Sequence, residues 1–120
     1  MKIDNKIYIN GVINIQDEDE VIEHLKNGVA VSRYEYGDSM SPLFISGEYA
    51  ILQPISSIDD VKIGDAVFCK VDGYYLTHLV WLKSNGYCLI GSSHGGLNGW
   101  TNEVYAIATK TNKIRGIDDI

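Results

Sequence analysis

Val67-Phe68-Cys69-Lys70-Val71-Asp72-Gly73-Tyr74-Tyr75-Leu76-Thr77-His78 is the stretch on which the fold turns. β-Branched and aromatic residues flank an Asp-Gly pair, the composition of two strands joined by a two-residue turn. With Asp72-Gly73 as that turn, Val71 faces Tyr74, Cys69 faces Leu76 and Val67 faces His78. Side chains alternate along a strand, so Val67, Cys69, Tyr74, Leu76 and His78 share one face. Lys70, Tyr75 and Thr77 share the other, which points Lys70 away from His78.

Working outward from this hairpin, the pattern stays β from Val29 onward. Strands are expected near 29–35, 48–53, 65–71, 74–81, 87–91 and 103–109, punctuated by Gly, Asn, Asp and Ser. Pro42 and Pro54 fall in loops or at strand ends, where a missing N–H does no harm. Residues 6–15 alternate around Asn10-Gly11 and read as a short hairpin. Asp17 is placed to cap a short helix whose first turn carries Glu18, Asp19 and Glu20. Val21, Ile22 and Leu25 give that helix an apolar face, and Asn27-Gly28 stops it. The expected class is mainly β, with one short N-terminal helix. The expected organisation is a single domain over 1–120: hairpin and helix at 1–30, a β core at 31–109 and a tail at 110–120.

The chain has 120 residues, 45% of them hydrophobic and 22% charged, an ordinary globular balance. No apolar run approaches the roughly 18–20 residues that span a bilayer, and the N-terminus lacks a basic-then-apolar leader pattern. A cytoplasmic location and no membrane partner are expected. Sixteen acidic against ten basic side chains give a net charge of −6, which disfavours direct nucleic-acid binding. Lys110, Lys113 and Arg115 make the tail locally basic, but Asp118 and Asp119 offset them. Cys69 and Cys88 sit inside apolar runs and are expected as buried free thiols. His24, His78 and His94 lack zinc-site spacing, so neither a metal nor another cofactor is expected.

Gly37-Asp38-Ser39-Met40-Ser41-Pro42 places a serine on a glycine-preceded turn, and His78 lies on the second strand of the hairpin. A serine within hydrogen-bond reach of an imidazole is an activated nucleophile. Unperturbed imidazole titrates near pH 6.5, so it accepts a proton near neutrality without the large shift a lysine would require. Ser39 is the candidate nucleophile and His78 the candidate general base. Asp38 and Asp65 read as turn residues accepting backbone hydrogen bonds. Met40 is expected to pack or to face substrate.

These blocks, with Gly47-Glu48-Tyr49-Ala50-Ile51-Leu52 and Val61-Lys62-Ile63-Gly64-Asp65-Ala66-Val67 between them, resemble the peptidase domain of LexA-like repressors, UmuD-like proteins and type I signal peptidases. The resemblance covers roughly residues 31–109. It implies a coiled β-sheet domain, Ser39 as nucleophile, and an oxyanion hole from the backbone N–H groups of Ser39 and Met40. His78 stands where bacterial members carry lysine and where archaeal and endoplasmic-reticulum signal peptidases carry histidine. The latter place an Asp in a Gly-Asp-Asn-like segment after the base strand. Here the corresponding stretch is Gly91-Ser92-Ser93-His94-Gly95-Gly96, so Ser92, Ser93 and His94 are the candidates for a third group.

The resemblance leads to a serine-peptidase-like domain acting on a peptide or protein substrate through a Ser–His dyad. The alternative is a non-catalytic peptide-binding or regulatory module of the phage-repressor peptidase fold, working as a homodimer. A regulator acting through a separate DNA-binding partner is a third reading.

Overall fold

The computed structural model describes residues 6–37, 39–41, 43–44 and 47–110. Within them the protein is mainly β with one α-helix. A two-stranded hairpin, β1 (Tyr8–Ile9) and β2 (Val12–Ile13), turns at Asn10-Gly11 as the sequence predicts. Helix α1 spans Glu18–Lys26; Asp17 caps it by accepting from Glu20 N–H at 3.1 Å, and Val21, Ile22 and Leu25 are its buried face. The acidic first turn faces the positive end of the helix dipole.

The remaining strands are β3 (Val31–Glu35), β4 (Glu48–Pro54), β5 (Ala66–Val71), β6 (Tyr74–Ser84), β7 (Tyr87–Gly91), β8 (Leu97–Thr101) and β9 (Val104–Lys110). They form a seven-stranded antiparallel sheet in the order β3-β4-β9-β5-β6-β7-β8. The hairpin at its centre has the predicted register: Val71 opposite Tyr74, Cys69 opposite Leu76, Val67 opposite His78. Asp72 and Gly73 both have positive φ (51° and 84°), the requirement of a type I′ turn and the reason Asp-Gly serves there.

The sheet is coiled. β5 shifts register against β9 between Phe68 and Cys69, β6 against β7 between Val80 and Leu82, and β7 against β8 between Ile90 and Gly91. Such bulges bend strands and add twist. The far edge thereby returns to the centre, where Thr101 Oγ1 donates to Lys70 O at 2.6 Å. The two faces of the β5–β6 hairpin belong to two cores. Phe68 joins Val21, Leu25, Val31, Leu52 and Ala106 beneath α1, with Tyr75 against them. Val67, Cys69 and Val71 join Val80, Cys88 and Ile90 inside the coil, with Leu76 against them. Cys69 and Cys88 are free, buried thiols; burial pushes the Cys69 thiol up to about 12.

Two departures from the sequence reading matter. β6 runs on to Ser84, and Leu97–Thr101 is a strand where no strand is predicted. Asn98-Gly99 is strong turn chemistry, and Gly99 has φ 135°, but pairing with β7 and close approach to Val71 hold the segment extended. Asp38, Pro42 and the tail beyond Lys110 lie outside the described residues. No helix among the described residues is long and apolar enough to cross a membrane.

Candidate active site

Ser39 lies on the turn after β3 and His78 on β6, far apart in sequence and adjacent in space. Ser39 Oγ is 2.9 Å from His78 Nε2. The sequence therefore names both members of a pair that the fold brings within hydrogen-bond reach. His78 is half-buried on the Val67 face of the hairpin, with its ring edge available to the exposed Ser39.

The opposite ring nitrogen, Nδ1, lies 2.6 Å from Asn98 Oδ1. The β7–β8 bulge makes this contact possible. Gly99 pairs with Ile90 and Leu97 with Gly91, so Asn98 is the extra residue between them, and Gly91 pairs on its other side with Leu79, the neighbour of His78. With Asn98 Oδ1 accepting, Nδ1 carries the hydrogen and Nε2 presents its lone pair to Ser39 Oγ–H.

The group within hydrogen-bond reach of Nδ1 is thus Asn98, and not Ser92, Ser93 or His94, which the sequence offered for a third position. Those residues belong to the loop that holds the Ser39 turn. Ser93 N–H donates to Ser39 O at 3.0 Å, and Ser93 Oγ donates to Ser39 O at 3.1 Å and to Ser41 O at 2.8 Å. Ser92 Oγ accepts from His94 N–H at 3.3 Å and Gly96 N–H at 3.0 Å, closing the loop on itself. Its anchor is Trp81, whose Nε1–H donates to Ser92 O at 3.1 Å. Asn98 lies where no strand is predicted, so the sequence left no signal for this contact. The available clue was Trp100-Thr101 two residues on, strong strand formers.

Met40 is buried in the core under α1, and Lys70 Nζ sits 5.1 Å from the Tyr75 ring centroid on the opposite hairpin face. Asp65 accepts from Lys62 N–H at 2.8 Å, the turn role read from sequence. A cavity of about 240 Å³ opens beside the dyad between β3 and β6, lined by Arg33, Glu35, Phe68, Thr77, Ser39 and His78 among others. Glu35 accepts from Thr77 Oγ1 at 2.9 Å, and burial pushes its carboxyl above the ordinary glutamate value against the opposing pull of Thr77 and Arg33.

Comparison of the sequence with models of known protein families and with curated proteins finds no match.

Proposed function

We propose that this protein is a serine hydrolase of peptide bonds, built on the LexA/signal-peptidase type of coiled sheet. Ser39 is its nucleophile, His78 its base and Asn98 its orienting group. The observation that carries the reading is the continuous chain Ser39 Oγ–His78 Nε2 and His78 Nδ1–Asn98 Oδ1, at 2.9 Å and 2.6 Å. A neutral amide in the third position is compatible with nucleophilic catalysis, as Cys-His-Asn sites illustrate.

In this scheme Ser39 Oγ attacks the carbonyl carbon while its proton passes to His78 Nε2. The tetrahedral oxyanion collapses, the C–N bond breaks, and the leaving amine takes the proton from Nε2. Water then attacks the acyl–Ser39 ester, giving a proton to Nε2, and Ser39 Oγ departs with it. The oxyanion donors are the N–H groups of Ser39 and Met40. In a planar trans peptide the C=O and N–H point in opposite directions, so fixing Ser39 O on Ser93 turns Met40 N–H away from that loop. Such donors are worth about 3–4 kcal/mol of transition-state stabilisation.

An extended peptide substrate has a seat along β6. β5 pairs with one edge from Tyr74 to Leu79, while β7 pairs with the other only from Leu79 onward. Main-chain hydrogen bonding to that edge would lead a peptide past His78.

The test is labelling with a fluorophosphonate probe. The wild-type chain is expected to label, and Ser39→Ala and His78→Ala to lose at least about 10³-fold in rate, the scale of triad removals. Absence of labelling in folded wild type between about pH 6 and 9 overturns the hydrolase reading and favours a peptide-binding module.

A further inference from the structure

Glu35 ends β3 just before the Ser39 turn and lines the cavity beside the dyad. Its Oε1 accepts from Thr77 Oγ1 at 2.9 Å, across the gap between β3 and β6. Its Oε2 has no hydrogen-bond partner among the described residues. The side-chain polar atoms that are both buried and unpartnered there are Nε and Nη1 of Arg33, so Glu35 Oε2 keeps its access to the cavity. Arg33 is closed off from the same space. Its unpartnered nitrogens have no accessible surface, its Nη2 turns to Glu18 Oε2 at 3.9 Å, and its Cζ lies 5.1 Å from the Phe68 ring centroid. Lys70 rests on the Tyr75 ring and does not line the cavity. Apart from the His78 ring, the charge that the cavity meets is therefore the half-buried Glu35 carboxylate, which has no ion pair among the described residues.

We propose that this cavity is a specificity pocket for a cationic side chain, lysine or arginine, next to the attacked carbonyl, with Glu35 as its acceptor. The proposal rests on the hydrolase reading of Ser39. A half-buried carboxylate without a cation bears a desolvation cost, and burial does hold the Glu35 carboxyl above its ordinary range. An ammonium or guanidinium seated there supplies the counter-charge and a donor to Oε2, in a charge-assisted hydrogen bond roughly twice as strong as a neutral one. A carboxamide donates but leaves the charge uncompensated. An alkyl chain offers neither, and a carboxylate meets Glu35 with like charge. Two carboxyl groups, Glu18 and Glu35, flank the single Arg33 guanidinium, so one further cation balances the cluster. Phe44, Phe68, Tyr75 and Leu76 give the cavity apolar walls for the methylene stem of such a side chain. At about 240 Å³ the cavity falls below the roughly 300–1,000 Å³ of small-molecule pockets and suits one long side chain. The net charge of −6 draws basic peptides toward the site.

The experiment separates the pocket from the chemistry and from the overall charge. The full-length Ser39→Ala chain is titrated by NMR with acetyl-Ala-Ala-X-amide peptides in which X is Lys, Arg, Gln, norleucine or Glu. The Lys and Arg peptides are expected to bind at least about tenfold tighter than the norleucine and Glu peptides, and about threefold tighter than the Gln peptide. The Lys–norleucine gap should fall below about twofold in the Ser39→Ala chain that also carries Glu35→Gln, and survive in part with Glu35→Asp. Moving the lysine to the first position, as acetyl-Lys-Ala-norleucine-amide, should lose most of the gain. Equal binding of Lys and norleucine, preference for Gln or Glu, or a Lys preference that survives Glu35→Gln overturns the proposal. So does a gain that follows the lysine to the first position, because it would come from the net charge. The peptide comparisons need no change at Glu35, so they stand even if a Glu35 variant fails to fold. Fluorophosphonate labelling of the wild type reports the dyad separately. Labelling without a cation preference sinks the pocket alone, and a cation preference without labelling sinks the hydrolase reading alone.

Discussion

At the scale of single residues, the third member of the site is the informative one. Asn98 carries no charge, so in the proposed mechanism it would act on His78 by fixing the tautomer and the ring plane rather than by stabilising an imidazolium. Asn98→Ala is expected to slow fluorophosphonate labelling by at least tenfold, and by less than the roughly 10⁴-fold that a wrong tautomer costs a Ser-His-Asp triad. Long-range ¹⁵N–¹H NMR should find His78 protonated at Nδ1 in the wild type and as a tautomer mixture in the variant. An unchanged labelling rate would remove Asn98 from the mechanism. Glu35 makes a prediction about stability. Its folded-state pKa lies above the unfolded one because burial disfavours the carboxylate. The folded state therefore binds the proton more tightly, and stability falls as pH rises from the ordinary glutamate range through the raised value. Glu35→Gln keeps an acceptor for Thr77 and removes the buried charge. Its stability relative to wild type should rise between pH 4 and pH 7 in urea titrations, and a difference independent of pH would refute this assignment. Ser39 and His78 were legible from sequence because a glycine turn and an Asp-Gly hairpin fix backbone geometry locally. Asn98 was not, because its conformation is decided by strands that pack against it.

At the scale of elements, the loop between β7 and β8 links the far edge of the sheet to the Ser39 turn. Ser93 holds Ser39 O and Ser41 O, and Trp81 holds Ser92 O. Gly91 is the point on which this depends. A Cβ there would lie 2.7 Å from Trp81 Cδ1 and 2.8 Å from Gly96 O, so either the indole or the loop backbone must move. Gly91→Ala is expected to cost about 1–3 kcal/mol, the usual range for overpacking. It should also slow labelling, because displacing the loop loosens the Ser39 turn. Stability lost with labelling unchanged would mean that the loop is a packing element only. The sequence marks this loop as rich in Ser and Gly, which describes its polarity; its use as a clamp depends on contacts with residues some fifty positions away. Strand ends shift from prediction for a similar reason. The hydrophobic pattern of β6 gives its middle, and pairing with β7 carries it on to Ser84.

At the scale of the whole molecule, the site exists only because β9 joins two halves of the sheet. β3 and β4 form one half, and the turn between them carries Ser39. β5, β6, β7 and β8 form the other and carry His78 and Asn98. Among the described residues, no ladder connects the halves except through β9, which pairs with β4 on one edge and β5 on the other. β9 also supplies Ala106 and Ala108 to the core beneath α1, and Val104 to the core inside the coil. This is why a sequence read in local windows yields strands but not their order: among the described residues, the closing strand comes last in sequence. The chain ending at Glu103 should accordingly lack cooperative unfolding by circular dichroism and show no fluorophosphonate labelling. Losing two strand ladders and part of both cores exceeds the roughly 5–15 kcal/mol that separates a domain of this size from its unfolded state. Adding a peptide of residues 104–120 to the truncated chain should restore both signals. Pairing so dependent on distant contacts should form on the millisecond-to-second scale in the intact chain. If the chain ending at Glu103 unfolds cooperatively by itself, the half-sheets are independently stable. A truncated chain that also labels would show that Ser39 meets His78 by some route other than β9.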